Sequence, residues 1–171
     1  MRAASFGIPF QPIPVGALEA TDIPAGLGLR KVADPYTGLE VYAVPKIELD
    51  WFVMHAPYVD AAGNVRVLGN PVYDEVASRA AKHIIVTAEE IVPSEDFERQ
   101  AELTLIPHFM VDAVVHVPGG ARPGSCYPLY EVDEEGMRHY IELSRTPEGL
   151  RRYLEETAPA DRAVESGHTA R

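Results

Sequence analysis

Three runs in the chain carry side chains that are apolar almost without interruption. Residues 51–54 (Trp-Phe-Val-Met) predict a central strand with His55 at its carboxyl end. Residues 84–87 (Ile-Ile-Val-Thr) predict a second buried strand, followed by Glu89 and Glu90. Residues 112–117 (Asp-Ala-Val-Val-His-Val) predict a third, polar only at Asp112 and His116. An apolar, β-branched run of this kind suits an inner strand of an α/β sheet, covered on both faces.

Between the first two strands the period changes. Val72, Val76, Ala77 and Ala80 recur at helical spacing, which predicts a helix over residues 71–82. Asn70 is its candidate cap and Pro71 its first turn. Asp74 and Glu75 come early and Arg79 and Lys82 late, in agreement with the helix dipole. A helix joining two strands is a crossover unit, so the strands are expected to be parallel and the connection right-handed. Ala62-Gly-Asn64 predicts a turn leading to a brief strand over residues 65–67. Further helices are expected after Ser94, over residues 133–144 and from Pro147 to about residue 156. The fold class is therefore α/β, with a mostly parallel sheet flanked by helices.

The first forty residues differ. Phe6-Gly-Ile-Pro-Phe-Gln-Pro-Ile-Pro14 is apolar, and its prolines forbid a helix. Either this arm folds back on its own core, or upstream sequence or another chain covers it. Residues 158–171 are polar and aperiodic, and a disordered tail is expected there, after a domain over residues 1–157.

The strand over residues 112–117 ends in Pro118, Gly119 and Gly120, with Pro123, Gly124, Ser125 and Cys126 close behind. A loop leaving the carboxyl end of a strand in an open α/β sheet is a usual ligand position, and glycine lets backbone approach closely. The same composition also suits an ordinary strand-to-helix turn.

A net charge of -11, from 15 basic and 26 acidic residues, argues against nucleic acid and against an anionic membrane surface. The single cysteine, Cys126, permits no internal disulfide and fits a small packing residue; a nucleophilic role would need a nearby base. The amino terminus has no signal-peptide core, and a cytoplasmic location is expected. The six histidines show no metal-ligand spacing, so no metal is expected. His116 is read as a satisfied histidine within the sheet. Glu89 and Glu90 are neighbours on a strand and point to opposite faces, so they do not converge on one proton. Either could still meet a cleft at the strand end.

Several segments, in order, resemble the A-type subunit of the family I CoA-transferases, of the glutaconate CoA-transferase type. Gly7-Ile-Pro-Phe-Gln-Pro12 is similar to its G-L-P-F-x-P. Val44-Pro45 followed by Met54-His-Ala56 resembles V-A-V-P…H-A, and Asp60-Ala-Ala-Gly-Asn64 resembles D-x-x-G-N. Val86-Thr-Ala-Glu-Glu-Ile-Val92 and Val111-Asp-Ala-Val-Val115 match two further family motifs. The loop from Pro118 to Tyr127 is similar to P-Y-G-A-H-P-S-x-C-Y. The likeness runs from about Ser5 to about Tyr153.

The resemblance implies a partial CoA-transferase (NagB/RpiA-like) architecture and transfer of CoA between an acyl group and a carboxylic acid. The reactive glutamate belongs to the B-type subunit in this family, so no catalytic residue is assigned here. An acyl-CoA, a carboxylic acid and a CoA-transferase B-type subunit are the implied partners. No bound cofactor is expected, the coenzyme A thioester being the substrate. Gly119, Gly120, Ala121 and Ser125 are the candidate substrate or CoA contacts, through backbone amides able to stabilise an oxyanion. His55, Glu89 and Glu90 are the candidate strand-end polar groups. The family carries an α/β segment upstream of the matched region. Gly119-Gly-Ala121 also resembles the P-G-G-A-H of related CoA-dependent ring-opening hydrolases. Two alternatives follow: a hydrolase subunit of the same fold, or a non-catalytic domain that only binds CoA or a partner.

Overall fold

A computed structural model describes residues 1–157; the expected tail lies outside the described residues. The chain divides into two compact units. The first is Met1–Gly120 with Cys126–Leu129, and the second is Ala121–Ser125 with the described residues 130–157.

The first unit opens with helix α1 (Arg2–Ser5) and a three-stranded antiparallel sheet. Its strands are β1 (Phe10–Pro14), β2 (Arg30–Ala33) and β3 (Glu40–Pro45), in the order β1-β3-β2. The proline-rich arm is thus an edge strand, where a missing N–H costs least. Phe6 is left 71% exposed. Short helices α2 (Val15–Leu18) and α3 (Ile23–Gly26) occupy the following connection.

The larger sheet is mixed, with order β7-β5-β4-β6-β8. Its centre is a pair of 12-residue strands, β4 (Leu49–Asp60) and β6 (Ala81–Val92), which run parallel as expected. On one side lie β5 (Val65–Arg66) and β7 (Thr104–Ile106), both antiparallel to their neighbours. On the other side β8 (Ala113–His116) pairs in parallel with β6. The glycine-loop strand is therefore an edge strand and not an inner one. Its Ala113 and Val115 are exposed.

Both central strands are longer than their apolar runs, and this moves the candidate residues. His55, Glu89 and Glu90 lie within 12-residue strands, not at strand ends. The crossover helix α4 shrinks correspondingly to Asp74–Ala80, and Ala81 and Lys82 join β6. Asn70 does not cap it. Its Oδ1 accepts the Val72 N–H at 3.0 Å, and Val72 sits at φ 45° before the helix begins. Ser94 is likewise the first residue of helix α5 (Ser94–Glu98), after Pro93 at the cap.

Alternation sorts the strand residues by face. Met54, Ala56, Ile84, Val86 and Ala88 point one way and join Val59, Val65 and Ile106 in the core. Trp51 (56%) and Val53 (62%) on β4 and Val115 (47%) on β8 point the other way and stay exposed. The register sets Val53 beside Ile85 and Ala113, and His55 beside Thr87 and Val115. The part of this face that carries Trp51, Val53 and Val115 is thus apolar and left exposed by the described residues.

In the second unit, Asp133 caps helix α6 (Glu134–Leu143) by accepting the Gly136 N–H. Helix α7 (Pro147–Thr157) pairs with it through Tyr140 and Tyr153, whose rings are 5.1 Å apart.

Candidate functional site

Parallel register is what assembles a site here. His55 on β4 is opposite Thr87 on β6, and Glu89, two residues further, projects from the same face. His55 Nδ1 lies 2.8 Å from Thr87 Oγ1, and Nε2 lies 2.6 Å from Glu89 Oε1. The Thr87 hydroxyl donates to the Met54 carbonyl at 3.2 Å, so it accepts from Nδ1–H. The 2.6 Å contact then holds a single proton between imidazole and carboxylate. Glu89 is buried, with a side chain only 5% exposed, whereas the His55 side chain keeps 19%. The imidazole is therefore the face of the pair that a ligand could touch, and the carboxylate stands behind it.

The loop after β8 locks onto this pair. Glu89 Oε2 accepts the Gly119 N–H at 2.6 Å, and His116 Nε2 bonds the Glu89 carbonyl oxygen at 3.0 Å. Gly119 is at φ 74°, a region natural to glycine. Gly120 is required for space instead: a Cβ there would fall 2.6 Å from His55 Cε1. Cys126, also buried, completes the cluster. Its Sγ lies within 4.8 Å of donor atoms on both His55 and Glu89. Burial, and then the Glu89 carboxylate, push its thiol up, so it stays protonated at neutral pH.

The structure corrects the expected use of the loop amides. The Gly119 N–H is held by Glu89 and the Gly120 N–H by the Val117 carbonyl at 3.1 Å. The Ala121 N–H donates to the Tyr130 hydroxyl at 3.0 Å. All three have internal acceptors, so they form a brace and not an open oxyanion cradle. Ala121 and Ser125 belong to the second unit, Gly119 and Gly120 to the first. Glu90 is exposed on the opposite face from Glu89, and its charge, after burial, helps to raise the Tyr58 hydroxyl.

Sequence reasoning therefore named His55, Glu89, Gly119 and Gly120 but missed Thr87 and the convergence of Cys126. A same-face offset along paired strands would have found Thr87. Cys126 lies in the same loop as Gly119 and Gly120, but nothing local shows that it turns back onto His55 and Glu89. Away from the cluster, the Asp60–Asn64 turn is tied by its own carboxylate. Asp60 accepts the N–H groups of Ala62 and Asn64 and the Asn64 amide. Burial pushes the Asp60 carboxyl up, but hydrogen bonds from Asn64, Ser94 and Ala62 outweigh it and hold the group below its usual range.

No family model matches the sequence. The chain is 32% identical to the A-type subunit of glutaconate CoA-transferase of Acidaminococcus fermentans, over 91% of this chain and 53% of that protein. The crystal structure of that enzyme superposes with a TM-score of 0.77, covering 91% of this chain and 54% of that one at 31% identity. Identity is also 32% to the cholesterol ring-cleaving hydrolase IpdA subunit of Mycobacterium tuberculosis, over 90% of this chain and 56% of that protein. A cysteine-to-serine variant of the decarboxylase AibA/AibB superposes with a TM-score of 0.78 at 34% identity, covering 91% of this chain and 55% of that one. The chain spans about half the length of these relatives.

Proposed function

We infer the function from one premise: the chain is a homologue of the A-type subunits of CoA-transferases, related along nine-tenths of its length. It forms one wall of an acyl-CoA site in a heteromeric enzyme that moves CoA between an acyl group and a carboxylic acid. A B-type partner supplies the reactive carboxylate. The observation that carries this reading is the position of the braced His55–Glu89 pair, on the same sheet face as the exposed Trp51, Val53 and Val115 and with the His55 edge still partly open. Parallel strands are ordinarily covered on both faces, and apolar residues at Trp51, Val53 and Val115 favour a protein neighbour over water. An acyl thioester held there would meet the partly exposed edge of His55, with the loop from Gly119 fixing the ring in place.

A second reading has its own support. The hydrolase relative has the same 32% identity as the transferase, and Gly119-Gly-Ala121 follows the hydrolase pattern. In it, water and not a carboxylate accepts the acyl group.

One experiment separates the readings. The chain is co-expressed with a B-type partner, and an acyl-CoA is supplied with and without a free carboxylic acid. Exchange that depends on both partner and acid supports the transferase; partner-dependent CoA release without acid supports the hydrolase. Robust turnover by the chain alone would overturn both.

A further inference from the structure

Three chemically different donors meet in the first unit: an imidazole nitrogen of His55, a carboxylate oxygen of Glu89 and the thiol sulfur of Cys126. All lie within 4.8 Å of one another, and no other such trio occurs among the described residues. We propose that His55, Glu89 and Cys126 form a binding site for a zinc-like divalent cation.

The donor set selects the metal. Imidazole, thiolate and carboxylate together suit a borderline cation such as Zn²⁺. Magnesium and calcium prefer all-oxygen shells. Three protein donors leave one tetrahedral position open, and the partial exposure of His55 gives that position a route to solvent.

The supporting shell is already in place. A metal-bound histidine normally donates its second N–H to a fixed acceptor, which orients the ring. Here Nδ1 rests on Thr87 Oγ1 at 2.8 Å, aiming Nε2 at Glu89 and the cation position. Glu89 Oε2 is held by the Gly119 N–H, while Oε1 faces the His55 nitrogen and is the oxygen placed to act as ligand. Two of the three donors stand on the central strand pair, the longest strands of the unit.

Bond lengths of about 2.0–2.3 Å set tetrahedral donors about 3.5 Å apart. The His55–Glu89 contact at 2.6 Å must therefore open by about 1 Å as the cation takes the place of the proton between them. Loading releases that proton and the thiol proton to solvent. The resulting site is neutral, with one thiolate and one carboxylate against two positive charges. This inference stands apart from the transferase reading, because it needs no substrate or partner.

The test uses the full chain, stripped with a chelator and then titrated with Zn²⁺ or Co²⁺ alone. About one zinc per chain is expected, together with a thiolate-to-cobalt charge-transfer band in the near ultraviolet. Cys126 is the only cysteine, so that band can come from nowhere else. Cys126→Ser should abolish the band and weaken zinc at least tenfold. Thr87→Val should weaken it about 10- to 100-fold through the lost orientation of His55. A titration without the thiolate band would overturn the proposal even if the serine variant failed to fold. So would zinc lost only on changing the exposed pairs His83–Asp112 or His139–Glu156.

Discussion

Gly120 and the His55 ring are packed so closely that a single methyl group on residue 120 would overlap Cε1 of His55, at 2.6 Å. The loop and the imidazole therefore fix each other. Gly120→Ala should cost about 1–3 kcal/mol, the usual range for overpacking. In a His55→Ala background only the share due to the ring should vanish, because the same Cβ also falls 2.9 Å from the Val117 carbonyl oxygen; the coupling should be about 0.5–3 kcal/mol in a double-mutant cycle. Urea melts of the four proteins measure it, and additive losses would show that the loop and the ring are independent.

Glu89 holds both the His55 ring and the Gly119 N–H from a buried position. Glu89→Ala removes the acceptor of each and should destabilise the first unit by about 3–5 kcal/mol, as for a broken buried pair. Glu89→Gln keeps an oxygen for Gly119 and should cost less. Equal midpoints for the two variants in denaturant would contradict this ordering.

The position of Glu89 also marks how far the sequence could be read. The strand–helix–strand crossover is plain in its apolar periods, and opposite facing of Glu89 and Glu90 follows from alternation alone. Strand length was not legible, because Ala81-Lys-His83 and Tyr58-Val-Asp60 look like a helix end and a loop until each is paired with its neighbour. Nor was the edge position of β8, since Ala113-Val-Val115 is as apolar as an inner strand. The cluster depends on register between segments more than thirty residues apart, which no local pattern encodes.

Asp60 gives a pH dependence of known sign. Its folded-state pKa lies below the ordinary 3.8. The stability it contributes is therefore complete above that value and is lost as pH falls from there through the lower folded value. Asp60→Ala should cost about 1–3 kcal/mol at pH 7 by stranding its donors, and its melting curve should be flatter across the acid range than that of the parent chain. An acid limb of unchanged steepness would assign the effect to other carboxylates.

Cys126 should be slow towards thiol reagents, since it is buried and its thiol is pushed up by burial and by Glu89. With a disulfide reagent at neutral pH, the metal-free chain should react far more slowly than the same chain in denaturant. Equal rates would mean that the loop opens freely.

Trp51 is the only tryptophan and stands on the open part of its sheet face, 56% exposed. Adding a B-type partner should shift its emission to the blue if that face is where the partner docks. Val53→Asp should prevent both the shift and co-elution. Co-elution without a change in emission would place the partner elsewhere.

The central strand pair has a consequence for how the molecule comes into being. Each rung from Leu49 with Ala81 to Asp60 with Val92 joins residues 32 positions apart. No hairpin can nucleate such a pair, so the intervening chain must be gathered before any rung is gained. Only the short hairpin contact of Tyr58 and Val59 with Arg66 and Val65 is available to β4 before β6 has been made. Until β6 is in place, the apolar core face of β4 is open to misassembly.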